Sequence, residues 1–180
     1  MDLRIAQPIT FRCGLTSPNR LVKAATAEGM ANKNSSPGSD IHGPLGVWLP
    51  VAKANLQDWT ACANVYKQHS AAAVVQISHP GRQSPLGAGS RGVFDKNLAP
   101  SDVGLDFARV ASAVLFGTPI LMTIGNIHDV ICRFVDVARL SAQAGFSSVE
   151  IRAAHGFLLA QFLSPVSKKR PDDYGGSPAA

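Results

Sequence analysis

The order of apolar runs constrains this chain most. An extended run, Ala72–Ile77 (AAVVQI), is followed by a long amphipathic stretch from Thr123 to Ala144. A second extended run at 147–152 comes next, then a short apolar stretch from Phe157 to Leu163. Strand, helix, strand, helix is the signature of parallel βαβ units and places the chain in the α/β class. The second strand delivers His155 through a turn of small residues, and a histidine at the far end of a strand is how a parallel barrel builds an active site.

The remaining stretches read as follows. Residues 1–19 are turn-rich, with Pro8, Gly14 and Pro18, and suit a small N-terminal hairpin or loop. Arg20–Ala25 (RLVKAA) reads as the first buried strand, and Ala31–Pro44 as loop. Pro50 interrupts Gly46–Ala52 and makes it a poor central strand. Asn55–Ser70 reads as a helix with Leu56, Trp59, Ala63 and Tyr66 on one face. Residues 80–105 are mostly loop, and Ala108–Leu115 stays open between helix and buried coil. In the long helix Ile127, Ile131, Phe134 and Ala138 form the apolar stripe, with Thr123 as N-cap and Gly145 as stop. Asn126 stands where a capping box wants Glu or Gln, which leaves that box half made.

Composition narrows the function classes. Hydrophobic residues are 46% and charged residues 16%, which describes a core-rich globular chain. The net charge of +5 is scattered, and its one cluster, Lys168-Lys169-Arg170, reads as a solvated loop. No basic stripe interleaved with aromatics points to nucleic acid, and no run approaches a membrane span. Cys13, Cys62 and Cys132 form no CxxC pair, so neither a metal site nor a disulfide framework is expected, and reduced thiols in the cytoplasm are the simplest reading.

Taken singly, Gln76 reads as a strand-end polar residue, His155 as a structural histidine and Tyr174-Gly175-Gly176 as a loop. As a set in this order they say more. Asn19-Arg20-Leu21-Val22-Lys23-Ala24-Ala25-Thr26-Ala27-Glu28-Gly29, Val75-Gln76-Ile77-Ser78-His79-Pro80-Gly81-Arg82 and the stretch from Ser148 to Ser177 together resemble the Old Yellow Enzyme family of FMN-dependent flavin oxidoreductases. The resemblance implies a TIM-type (β/α)8 barrel, of which residues 1–180 form roughly the N-terminal half, with 1–19 as hairpin and 20–180 as barrel strands and helices. It implies FMN and NADH or NADPH as cofactors and a small-molecule substrate, an activated alkene or related electrophile. The motif wording is similar to fungal members, many of which serve secondary metabolism. By position, Ala24, Ala25, Thr26, Ala27 and Gln76 would contact FMN, and a side-chain amide suits the ring edge because it both donates and accepts.

Three departures from the family pattern stand out. The donor pair that holds the substrate oxygen, His-x-x-His or His-x-x-Asn in the family, is Arg152-Ala153-Ala154-His155 here. The position that carries a proton-donating Tyr is Phe157, and loss of a positioned acid costs about 10²–10⁴-fold in rate. A flavin-contacting Thr or Cys is replaced by Ala27, with Thr26 one residue early. Family members have a further barrel strand and helix between the first strand and the Gln strand; here only about 45 residues separate Thr26 from Val74, and the proline-broken Gly46–Ala52 is the sole strand candidate. A barrel of this class needs about 250 residues, and its phosphate loops follow strands 7 and 8. A truncated, inactive remnant or an interaction protein that self-associates through open sheet edges is therefore the alternative expectation. Flavin-dependent isomerisation, which needs no proton donor at Phe157, is the third.

Overall fold

The computed structural model describes residues 3–24, 46–47, 55–85, 95–105 and 115–176. Ala25, Thr26, Ala27, the expected loop over Ala31–Pro44, most of Gly46–Ala52 and most of Ala108–Leu115 lie outside these. The chain divides into two compact units, Met1–Ile77 with Cys132–Ile151, and Ser78–Ile131 with Arg152–Ala180.

In the first unit, β1 (Ile9–Thr10) and β2 (Thr16–Ser17) form the expected antiparallel hairpin. A parallel sheet follows in the order β3 (Gly46–Val47), β4 (Val74–Ile77), β7 (Ser148–Ile151). The proline-interrupted segment thus contributes only a two-residue edge strand. Helix α1 (Leu56–Tyr66) crosses from β3 to β4, capped by Asn55, whose side-chain oxygen accepts from the Gln57 amide at 3.0 Å. Trp59, Cys62 and Ala63 are its buried residues, whereas Leu56 stays exposed.

Alternation along β4 sends Val75 and Ile77 into a core with Trp59, Val137, Leu140 and Ala144, against which Phe134, Ala138, Phe146 and Val149 pack. Trp59 meets Phe146 edge-on, ring centroids 5.8 Å apart. The other face of β4 carries Val74 and Gln76.

The long helix, α2 (Ile124–Gln143), starts one residue after Thr123. Its capping box is complete: the Asn126 amide donates to Thr123 Oγ1 at 3.1 Å, and Asn126 Oδ1 accepts from the Thr123 amide at 3.0 Å. Asparagine therefore serves where Glu or Gln was the expected partner. At the far end Phe146 N bonds Ser141 O and Gly145 N bonds Ala142 O, a Schellman closure with Gly145 at φ +89. The buried stripe runs through Ile127, Val137, Leu140 and Ala144, and Ile131, expected within it, is 49% exposed. Ile127 is buried and Phe134 and Ala138 pack on the core, so of the expected stripe Ile131 alone departs, as apolar as its neighbours but turned outward.

The expected strand at Arg20–Ala25 does not form in its described part. Leu21–Ala24 carry no strand, and Leu21 and Val22 are 66% and 87% exposed. An apolar run needs a neighbour to complete its ladder, and here the Leu21 amide is taken instead by Asn19 Oδ1 at 2.9 Å.

In the second unit, β5 (Leu98–Ala99) pairs in parallel with β6 (Ile120–Leu121), two short strands within stretches read as loop and connection. Met122, Ile127 and Leu158 form its core, with Leu98, Val130, Phe162 and Tyr174 packed on them. The last helix, α3 (Leu158–Leu163), begins one residue later than expected, after Phe157.

Candidate functional site

Adjacent parallel strands β4 and β7 pair in register, Gln76 opposite Glu150 and Ile77 opposite Ile151. Register makes the first contact: Gln76 Nε2 donates to Glu150 Oε1 at 2.7 Å. The carboxylate turns the amide so that its nitrogen faces β7, leaving the oxygen on the opposite side of the group. A side-chain amide both donates and accepts, the chemistry that the edge of a flavin pyrimidine would need. Glu150 was not singled out from the sequence. Its signal was register alone, which sets the one polar residue of β4 opposite Glu150 of β7.

Ala24, the described member of the expected first-strand contacts, is exposed and outside any strand.

In the second unit the segments that follow β4 and β7 are stitched together. Gln83 Nε2 donates to the carbonyls of His155 and Gly156 at 2.9 and 2.8 Å. The Leu158 amide donates to His79 O at 2.9 Å. Gln161, 1% exposed, donates through Nε2 to Pro80 O and Gly156 O at 3.0 and 2.7 Å, and its Oε1 accepts from Arg82 N at 3.3 Å. A β-carbon on Gly81, at φ +58, would collide with that same Gln161 amide. Gln83 and Gln161 are thus the supports of the loop, and neither belonged to the expected set.

The loop itself turns sharply. His155 and Gly156 both occupy the left-handed region, at φ 60 and 67, and the Phe157 amide closes the turn onto Ala154 O at 3.2 Å. For a non-glycine residue that conformation is uncommon and costs energy, which the hydrogen bonds from Gln83 offset. His155 is exposed, while Arg152 and Phe157 are half-buried. The Arg152 guanidinium carbon lies 4.5 Å from the Phe157 ring centroid, a cation–π contact between two of the family departures.

Arg170 corrects the reading of its basic cluster as solvated. It is 8% exposed and donates to Pro100 O at 3.0 Å and Met122 O at 2.6 Å. A bidentate pair with Asp172 completes it, at 2.9 and 2.5 Å, and Arg170's hydrogen bond holds the Asp172 carboxyl below its usual range. The guanidinium fork satisfies carbonyls at the ends of β5 and β6 that would otherwise be buried without donors. Beside it Met122, Ile127, Leu158, Phe162 and Tyr174 border an apolar groove of about 300 Å³. Among the described residues no group of three His, Cys, Asp or Glu could hold a metal ion, and no helix is long and apolar enough to cross a membrane.

Known proteins resemble this chain in sequence and in fold. Residues 8–180 match the model of a family described as NADH:flavin oxidoreductase / NADH oxidase. The chain is similar to the NADH-dependent flavin oxidoreductase iliE of Neonectria sp. (strain DH2), at 42% identity across 99% of this chain and 28% of that protein. It is similar to the NADH-dependent flavin oxidoreductase iccE of Talaromyces variabilis, at 39% identity across 99% of this chain and 51% of that protein. The chain therefore spans about half the length of these relatives, or less. Each match runs over 213 residues where this chain has 180, so the relatives carry residues inside the matched region that are missing here. Among solved structures it is similar to the Old Yellow Enzyme from Pichia sp. AKU4542, with TM-score 0.78 and 21% identity across 98% of this chain and 52% of that one. Morphinone reductase gives TM-score 0.76 and 22% identity, across 96% and 54%. These likenesses show the fold: the α/β barrel of the Old Yellow Enzymes, of which this chain covers about half, as the sequence led us to expect.

Proposed function

The chain belongs to the NADH:flavin oxidoreductase / NADH oxidase family, and on that premise we propose that it carries part of the site of an FMN-dependent NAD(P)H oxidoreductase of Old Yellow Enzyme type. Its substrate would be an activated alkene or related electrophile, of secondary metabolism by the wording of its motifs, and its setting the cytoplasm. One observation carries the reading. The loops that follow two neighbouring parallel strands are tied to each other by Gln83, and the candidate substrate-facing residues sit on one of them.

Gln76 would hold the pyrimidine edge of FMN, its amide oriented by Glu150. When bound, FMN supplies the hydride chemistry between NAD(P)H and substrate, and the protein contributes position and electrostatics. Arg152 and His155 would bind the substrate's oxygen, both as hydrogen-bond donors and Arg152 with a permanent positive charge. Phe157 brings a ring with no proton to give. It steadies Arg152 instead, and the proton that completes a reduction must arrive from another group or from water.

A second reading, redox-neutral isomerisation, is favoured by Phe157 alone. The two are separated by purifying the protein at its native length with FMN, adding NADH without oxygen, and following the loss of flavin absorbance. A simple enone is then added. Flavin reduction followed by one NADH consumed per enone reduced is the expected result. Isomerised product with no NADH consumed would favour the second reading, and failure of NADH to reduce the flavin would overturn the first.

A further inference from the structure

We propose that this site selects a substrate carrying an anionic oxygen group, a carboxylate or an enolate, with Arg152 as its binding residue and Phe157 as the positioning residue that orients Arg152. The inference rests on the functional reading above and names the substrate class of that same site.

A guanidinium is planar, permanently charged and built to engage two oxygens at once. A neutral donor at this position would meet a carbonyl equally well, so the charge adds selectivity only toward an anion. The ring at 4.5 Å limits the planes the guanidinium can adopt. The ring is itself fixed, because the Phe157 amide closes a turn onto Ala154 O and Gln83 clamps the two carbonyls within that turn. Half-burial of Arg152 lowers the local dielectric and strengthens its attraction for an anion over that in open solvent. The cation–π partner thus lowers the ordering cost of the charged donor, which is the physical content of preorganisation.

The test compares sodium benzoate with benzamide, probes of like shape that differ in charge, by calorimetric titration of the native-length protein with FMN. Benzoate should bind about tenfold more tightly or better. Arg152→Gln should bring the two to parity. Phe157→Leu should weaken benzoate by about two- to tenfold with benzamide unchanged, and Phe157→Tyr, which keeps the ring, should not. The preference should also shrink as salt is raised, a measurement that needs no variant. Equal binding of the two probes, or a preference that survives Arg152→Gln, would overturn the proposal. Reduction of the flavin by NADH is measured separately with no probe present. If flavin is not reduced but the preference holds, the oxidoreductase reading falls and the anion site stands. If flavin is reduced and no preference is seen, the reverse is true.

Discussion

The guanidinium of Arg152 rests on the ring of Phe157, 4.5 Å from its centroid. Each residue alone looks like the loss of a family function: a bulky charge in place of a neutral donor, and a phenyl in place of a phenol. Together they form one contact. Arginine gains a stacking partner that limits the planes its guanidinium can adopt, and the phenyl ring brings no hydroxyl of its own. In this structure the two departures are joined by that contact.

That coupling is measurable. In a double-mutant cycle over Arg152→Ala and Phe157→Ala, read by denaturant unfolding, the two changes should fall short of additivity by about 0.5–2 kcal/mol. Strict additivity would mean that the contact contributes nothing to the folded state.

Thiol chemistry should separate the three cysteines. Cys13 and Cys132 are exposed, whereas Cys62 is buried on the core face of α1 and burial pushes its pKa up to about 11. At neutral pH a disulfide reagent should label Cys13 and Cys132 readily and Cys62 only on unfolding, because the thiolate is the nucleophile. Rapid labelling of all three in the folded protein would contradict the packing of α1.

Arg170 should be among the least replaceable residues of the second unit. Arg170→Ala strands the carbonyls of Pro100 and Met122, at about 1–3 kcal/mol for each that stays buried without a donor. Arg170→Lys should recover little, since a point charge cannot serve two carbonyls and a bidentate carboxylate together. Asp172→Asn should be milder and should flatten the acid limb of the stability profile. The Asp172 carboxyl is depressed when folded. Its contribution is therefore present above the unfolded value of about 3.9 and lost as pH falls through the lower folded value. An acid limb identical in Asp172→Asn and the unaltered protein would count against the pairing.

The βαβ order was legible because the physics is local. Period-two alternation marks Val75 and Ile77, helical spacing marks Trp59 and Ala63, and Thr123 and Gly145 punctuate the long helix. What sequence hid was decided by partners far along the chain. Leu21 and Val22 look like strand residues, but strand formation depends on a neighbour the run cannot specify. Strands β5 and β6 span two residues each, too few for any period to show. Arg170 looked solvated beside two lysines, and only the carbonyls of distant Pro100 and Met122 explain its burial. At the candidate site, Gln76, Arg152 and His155 came from motif and order, whereas Glu150, Gln83 and Gln161 act through side-chain hydrogen bonds to residues 74, 72 and 81 positions away in sequence.

The register of Gln76 against Glu150 gives the sharpest test of the sheet and of the flavin reading together. Gln76→Glu would set two carboxylates opposite each other on adjacent strands, where like charges destabilise by about 0.2–1 kcal/mol. Each would raise the other's pKa in the folded state above the unfolded value of about 4.3. An acid with a raised folded pKa stabilises the fold when protonated, so the deficit should be largest near neutral pH and shrink as pH falls through the folded values. Gln76→Ala removes the amide without adding charge and should show no such pH dependence. It should still weaken FMN about tenfold, by the loss of roughly one net hydrogen bond to the ring edge. A pH-independent deficit in Gln76→Glu would mean that the two side chains do not meet. Normal FMN affinity in Gln76→Ala would leave the sheet intact and remove Gln76 from the flavin site.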